Sequence, residues 1–327
     1  MEPLVDPHGR TVRDLRISVT DRCNFRCRYC MPADGLQWLD RADLLTYEEI
    51  ERVARVCVER FGFDGIRITG GEPTVRAHLP VLVEKLAALG TDLSLTTNGA
   101  TLRLLAADLR AAGLRRINIS LDSLRPETFL AIARRDALAQ VLDGIDAAIE
   151  AGLSPVKVNC VLIRGVNDDE IVDFARFGRE RGVTIRFIEF MPLDADDGWA
   201  PATVVPAADV VATVDAVYPL EPVEVRGSSP AERFRYADGG GEIGVIATVT
   251  RSFCGACDRV RLTAEGMFRN CLFAVRETDL RAVLRGGGSD DDLAAAVAAD
   301  VGRKWAGHSI GQVTFVRPDR SMSQIGG

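Results

Sequence analysis

Lysine is almost missing from this chain of 327 residues: Lys85, Lys157 and Lys304 are the only three, so nearly all of the 40 basic residues are arginine. Basic residues are also outnumbered, 40 against 47 acidic, for a formal charge of −7. That balance argues against general nucleic-acid binding, which favours a basic domain. No apolar run approaches the ~20 residues needed to cross a bilayer, and the N-terminus shows no apolar signal segment. No membrane contact is expected, and the protein is expected to be cytoplasmic. Internal repeats and low-complexity stretches are missing too, leaving the composition of a globular protein, 47% hydrophobic and 27% charged. The length suits one large domain plus a smaller one.

Cysteine, by contrast, is placed with purpose. Six of the eight cysteines fall into two groups: Cys23, Cys27 and Cys30, then Cys254, Cys257 and Cys271. In a cytosolic protein such groups read as metal ligands and not as disulfides. The first group has C-x3-C-x2-C spacing and follows a short apolar strand pattern, Leu15 to Val19. Three thiolates on one tight loop can hold three corners of an iron–sulfur cubane. The fourth iron is then an open metal position, where chemistry takes place. Structural zinc normally closes its tetrahedron with four N or S ligands, and no fourth is near, so the spacing favours iron–sulfur with zinc as the alternative. The second group is ambiguous by itself between zinc and iron–sulfur, and His308, the only histidine downstream, is a candidate fourth zinc ligand. Cys57 and Cys160 lie in apolar helix and strand patterns and read as small buried hydrophobes.

Up to about residue 190 the chain alternates strand-like and helix-like segments. Strands are expected at 15–19, 65–69, 92–97, 115–121, 155–163 and 184–190, and helices around 46–60, 77–89, 101–112, 136–151 and 168–181. Thr46 followed by Glu49 is a capping box opening the first helix. Strands joined by helical crossovers imply an α/β fold with a parallel sheet, open or curled into a partial barrel, whose working residues gather at the C-terminal strand ends. The cysteine loop, Thr69-Gly70-Gly71-Glu72-Pro73, Thr96-Thr97-Asn98-Gly99, Ser120-Leu121-Asp122 and Glu189-Phe190-Met191 should therefore share one mouth. At Asp194-Ala195-Asp196-Asp197-Gly198 the rhythm breaks. The expected division is a domain at 1–193 and a smaller α+β domain at 194–327. The latter has a helix near 206–217, β-like segments at 242–250 and 258–263, two late helices, and the second cysteine group.

Taken together, several segments resemble the radical S-adenosylmethionine (SAM) enzymes, and within them the GTP 3′,8-cyclases of molybdenum-cofactor biosynthesis. They are Leu15–Arg22 leading into the cysteines, Thr69–Pro73, Phe187–Met191, Phe253-Cys254-x-x-Cys257-x-Arg259-x-Arg261-Leu262, and the Met322–Gly327 tail. The resemblance runs essentially end to end. It implies an incomplete TIM-type barrel of about six parallel strands with a C-terminal cluster-binding domain. It implies two [4Fe–4S] clusters on the two cysteine groups, with SAM cleaved at the first to a 5′-deoxyadenosyl radical. That radical takes the hydrogen at C3′ of GTP, and the C3′ radical adds to C8 of the guanine, giving 3′,8-cyclo-7,8-dihydro-GTP. By the same resemblance Tyr29, Gly71, Ser120 and Met191 touch SAM, with Arg186 a weaker candidate. The free iron of the second cluster is ligated by the guanine of GTP. By the same resemblance Arg16, Arg67, Thr96, Lys157, Arg259, Val260 and Arg261 bind GTP.

Any one arginine in so arginine-rich a chain is by default a solvated charge, but Lys157 sits among apolar strand neighbours. Arg259 and Arg261 alternate with Val260 and Leu262, which puts both guanidinium groups on one strand face. Two positions depart from the family pattern: Gly65 stands where a lysine is common, and Asp258 where asparagine is common. A carboxylate near an anionic substrate is unfavourable, so Asp258 is expected to point away. Gly326 and Gly327 end a tail that enters the active site in the family, and residues without side chains can thread a narrow space. A reductant protein and a downstream cyclic pyranopterin monophosphate synthase are the implied partners, and a homodimer is left open. The rival readings are a radical SAM enzyme acting on a peptide or metabolite, and a non-enzymatic iron–sulfur or zinc protein. The first has no need of the Arg259/Arg261 pair, and the second no need of converging strand ends.

Overall fold

The computed structural model describes residues 2–193, 198–224, 227–310, 312 and 315–326. Its first part alternates strand and helix: β1 (Asp14–Ser18), α1 (Tyr47–Phe61), β2 (Gly65–Thr69), α2 (Leu79–Ala87), β3 (Asp92–Thr97), α3 (Ala106–Ala111), β4 (Arg116–Ser120), α4 (Pro126–Ala133), α5 (Leu138–Glu150), β5 (Val156–Leu162), α6 (Ile171–Arg181) and β6 (Thr184–Glu189). There follow α7 (Ala207–Asp215), β7 (Leu220–Pro222), β8 (Glu232–Tyr236), β9 (Glu242–Ile246), β10 (Arg259–Leu262), β11 (Met267–Arg269), β12 (Thr278–Asp279), α8 (Leu280–Arg285), α9 (Asp290–Val301) and α10 (Met322–Ile325).

Local chemistry sets many of these boundaries. The α1 capping box is formed: Glu49 N donates to Thr46 Oγ1 at 3.1 Å and Thr46 N to Glu49 Oε2 at 2.7 Å. Gly62 closes the helix at φ 72°, the left-handed region open to glycine. α4 was not expected from the sequence. It opens on Pro126 behind Arg125, with no side-chain cap to announce it. The expected break at Asp194–Asp197 lies outside the described residues.

The strands form one sheet in the order β12-β11-β10-β1-β2-β3-β4-β5-β6-β9-β8-β7. Strands from β10 through β9 run parallel, and an antiparallel pair of strands continues each edge. The two β-like segments expected in a separate unit thus extend the parallel sheet at opposite ends, β10 beside β1 and β9 beside β6. Laid flat, β10 and β9 would be about 34 Å apart at the usual strand spacing. Yet Arg259 and Arg261 of β10 line the same cavity as Ile246 of β9, so the sheet curls into an incomplete barrel.

Strand periodicity sorts the two faces. Leu15, Ile17, Ile66, Ile68, Ile185 and Phe187 point to the helices and are at most 1% exposed. Their alternates, including Arg16, Arg67, Thr96, Asn159 and Arg186, line the hollow. Among the described residues no helix is long and apolar enough to cross a membrane.

Candidate active site

The Cys23–Cys30 loop follows β1 and is braced from outside the barrel. Arg26 N and Arg28 N donate to the carbonyls of Ala133 and Ile132, each at 3.0 Å, and Phe25 meets Phe129 edge-on at 5.9 Å. The end of α4 therefore supports the loop. On the inner side Gly71 N donates to Thr20 O at 2.6 Å and Glu72 N to Arg22 O at 2.8 Å. A Cβ on Gly71 would lie 2.4 Å from the carbonyl oxygens of both Asp21 and Arg22. Glycine here lets two strand-end loops touch through their backbones, whatever else it contacts.

Cys23, Cys27 and Cys30 line a cavity with Tyr29, Gly70, Gly71, Ser120 and Asp122. Burial pushes the Cys23 thiol up to about 11 and Cys30 to about 12, and holds Cys27 well above the usual range. Charges on neighbouring sulfurs and on Glu72 and Asp122 act in the same direction. A positively charged metal core that takes these sulfurs as thiolates removes that penalty, so the donor set fits an iron–sulfur cluster. The acids themselves are tied down. Tyr29 OH donates to Asp122 Oδ2 at 2.7 Å, and burial raises the Asp122 carboxyl to about 6. Glu72 accepts from Thr74 N at 3.1 Å and from Thr97 Oγ1 and Asn98 N, both at 2.6 Å.

The second triad closes the other side of the hollow. Cys254 and Cys257 flank a short turn before β10, and Cys271 follows β11. All three line one cavity with Arg16, Arg67, Arg186, Arg259, Arg261 and His308. Burial opposes ionisation of Cys254, yet hydrogen bonds from His308 and Ser252 bring its thiol down to about 6. Burial likewise opposes ionisation of Cys257, and Arg259 and Lys304 outweigh it, leaving the thiol lowered. Cys271 differs from these two: burial raises its thiol, with Lys304 opposing.

The cations are under strain of their own. Burial, then the neighbouring Arg67, pushes Arg16 down to about 9; burial also pushes Arg67 and Arg186 to about 10 and Arg261 well below its ordinary value. Arginine keeps its proton in proteins, so these directions express the cost of burying the charges and, second to it, their mutual repulsion, both of which a bound anion would offset. Arg16 Nε, Arg259 Nη2 and Asn159 Oδ1 are buried without a hydrogen-bond partner. The cavities share Thr96, Asn159, Ile188, Met191 and Met322 as a common wall.

The tail reaches this wall. Arg320 pairs with Glu265 and Glu277, and α10 then carries Met322 into the lining of both cavities. Gly326 sits at φ 83°, and its carbonyl accepts from Arg261 Nη1. A Cβ there would lie 2.4 Å from Thr69 Oγ1. Gly327 lies outside the described residues.

Comparison with known proteins accounts for this arrangement. The chain matches the Radical SAM superfamily over residues 17–178 and the family described as Molybdenum Cofactor Synthesis C over residues 183–310. It is 51% identical to a GTP 3′,8-cyclase of Streptomyces coelicolor, over 99% of this chain and 96% of the relative. The chain belongs to the GTP 3′,8-cyclase family. A member from Rhodopirellula baltica is 49% identical over 99% of this chain and 92% of its own. The fold is also that of SuiB of Streptococcus suis, solved bound to S-adenosylmethionine. There the TM-score is 0.63 and the identity 13%, over 89% of this chain and 69% of SuiB.

Against the positions matched to this family of cyclases, Tyr29, Gly71, Ser120 and Met191 line the first cavity. Arg186 lies in the second cavity instead, with Arg16, Arg67, Arg259 and Arg261, while Thr96 lines both. Two positions fall elsewhere. Val260 is fully buried in the apolar core on the opposite strand face, and Lys157, on the inward face of β5, is not among the lining residues. Asp258 is not among the residues lining the second cavity; its Oδ1 lies 3.8 Å from Arg259 Nη1. Gly65 packs against Asp14, its Cβ position 3.3 Å from Asp14 Oδ2. Asn159 was missed, although the signal was the one that singled out Lys157, a polar residue within an apolar strand. Met322 and Glu72 were reached only as members of the Met322–Gly327 and Thr69–Pro73 segments, and the setting of Lys304 beside the second triad carried no signal of its own.

Proposed function

We propose that this chain converts GTP to 3′,8-cyclo-7,8-dihydro-GTP, the first step of molybdenum-cofactor biosynthesis. In this reading Cys23, Cys27 and Cys30 hold a [4Fe–4S] cluster, with Tyr29, Gly71, Ser120 and Met191 around SAM. Cys254, Cys257 and Cys271 hold a second [4Fe–4S] cluster, and GTP lies between the two. The observation that carries it is the common wall: one cavity on each cysteine triad, joined at Thr96, Asn159, Ile188, Met191 and Met322. When bound, the first cluster and SAM supply the radical that takes the ribose hydrogen.

The chain's own residues bind and orient. Arg16, Arg67, Arg186, Arg259 and Arg261 supply positive charge for a triphosphate in an otherwise acidic protein, and guanidinium forks suit phosphate oxygens. Lys157 adds its charge from behind the lining. Holding the nucleotide between two fixed points makes the catalytic contribution mostly positional. Met322 narrows the space where the two cavities meet. Residues 1–193 supply the SAM half and residues 194–327 the second-cluster half, with both halves sharing one sheet. A reductant protein delivers the electron, and a cyclic pyranopterin monophosphate synthase takes the product.

The test is anaerobic incubation with SAM, GTP and dithionite, followed by mass spectrometry. Deoxyadenosine together with a cyclised GTP product is expected. Deoxyadenosine without that product would point to a peptide or metabolite substrate, and intact SAM would reject the whole reading.

A further inference from the structure

Beside the second triad stands a cation that substrate binding does not use. Lys304, just after α9, is 3% exposed. Its Nζ donates to the main-chain carbonyls of Arg259, at 2.6 Å, and Asn270. Both acceptors are neutral, and a buried ammonium with only neutral partners is costly. The groups of opposite sign that face it are the sulfurs of Cys257 and Cys271, while Arg10 and Arg259 add further positive charge.

The two carbonyls are informative in themselves. Arg259 comes two residues after Cys257, and Asn270 immediately precedes Cys271. One ammonium therefore ties together the two chain segments that bring these sulfurs to the cavity. Arg10 performs the same service for the third sulfur, donating from Nη1 to Cys254 O at 2.7 Å and to Ala306 O at 2.8 Å. But Arg10 has Asp6 as a buried partner, whereas Lys304 has no carboxylate partner among the described residues. A compact point charge in a dry site, held on the chain segments that carry the sulfurs, acts on whatever charge those sulfurs carry. At the first triad the acids Glu72 and Asp122 stand among the flanking charges, with Arg26 opposing Glu72 beside Cys23.

We propose that Lys304 is a positioning residue and the counter-charge of the second cluster, holding the Cys257 and Cys271 segments together and making that cluster easier to reduce. The proposal rests on the reading that Cys254, Cys257 and Cys271 hold an iron–sulfur cluster. Glutamine at this position keeps two N–H donors for the carbonyls but carries no charge, which separates the tie from the electrostatics.

The experiment is an anaerobic potential titration followed by electron paramagnetic resonance, in a Cys23→Ala, Cys27→Ala, Cys30→Ala background so that only the second cluster is seen. Lys304→Gln is expected to lower the midpoint potential by about 59 mV, a tenfold shift in a one-electron equilibrium. Lys304→Met, of similar volume, is expected to lower it at least as far and provides the test if the glutamine variant does not fold. Unchanged potentials in the neutral variants overturn the proposal while leaving the cluster reading intact. About four irons with one zinc in the unmutated protein would defeat the second-cluster reading, and this proposal with it. About eight irons secure that reading before the titration begins.

Discussion

Arg16 and Arg261 are register partners on the neighbouring parallel strands β1 and β10. Like charges set side by side across strands destabilise a sheet unless something neutralises them. Asp14 offsets part of this as an ion pair, its Oδ1 3.7 Å from Arg16 Nε, too far for a hydrogen bond. The site therefore holds repulsion in store that a polyanion releases on binding. Ligand-free Arg16→Met should melt about 2 °C above the unmutated protein, and GTP should raise the melting temperature of the unmutated protein but scarcely that of the variant. Differential scanning calorimetry at low salt checks both. A lower melting temperature with an undiminished GTP shift would make Arg16 a purely structural residue.

Arg261 also links the anion site to the tail, through its hydrogen bond to the Gly326 carbonyl. Gly326→Ala adds a Cβ only 2.4 Å from Thr69 Oγ1 at a backbone angle that side chains rarely adopt. Product formation should fall about 100-fold, as misplacement by an ångström does, while iron content stays unchanged. Adding Thr69→Ala removes the clashing oxygen and should recover part of the loss. Full activity in Gly326→Ala would show that the tail need not sit where it does.

The mouth of the barrel was legible because strand ends are a positional rule: once β1 to β6 were placed by period-two apolar runs, the cysteine loop, Gly70-Gly71 and Ser120 had to share a rim. The edges were not legible. Nothing in the alternation of Arg259, Val260, Arg261 and Leu262 says which neighbour the strand will choose. Pairing with β1 was decided by long-range closure, and it is what brings the second triad to the first. Gly71 shows a different limit. The sequence asks for a close approach there, and one partner to it is the chain's own backbone at Asp21 and Arg22. Val260 shows a third, since a motif match names a segment while strand parity decides which side chains face the hollow.

Lys157 makes stability depend on pH. Burial, followed by the like charges of Arg186, Arg116 and Arg67, lowers its ammonium from 10.5 to about 7. Between these values the unfolded chain binds more protons at this residue than the folded one. Its contribution therefore raises stability as pH rises through the window, is greatest above 10.5, and is lost as pH falls through about 7. Thermal melts of ligand-free protein from about pH 7 to 9.5 should show a steeper rise for the unmutated chain than for Lys157→Met, the gap narrowing as the lysine loses its proton. Parallel curves would mean that Lys157 titrates as an exposed lysine does.

Glu72 joins the ends of β2 and β3, and through Asn98 it reaches the cysteine loop. Its carboxylate is 1% exposed and accepts from Thr74 N, Thr74 Oγ1, Thr97 Oγ1 and Asn98 N. Asn98 in turn donates from Nδ2 to Asn24 Oδ1 at 2.7 Å, beside Cys23. Every group facing the carboxylate is thus a donor, and Glu72→Gln would set an NH2 against at least one of them. Burying such a mismatch costs about 2–3 kcal/mol, more than an ordinary lost hydrogen bond. The loss should appear first at the cysteine loop, because Asn98 is the contact that transmits it. Reconstituted Glu72→Gln should therefore lose iron from the first triad to a chelator faster than the unmutated protein, with the second triad unaffected. Equal loss from both triads would show that the variant weakens the fold at large, and retention at both would show that the network around Glu72 absorbs the change.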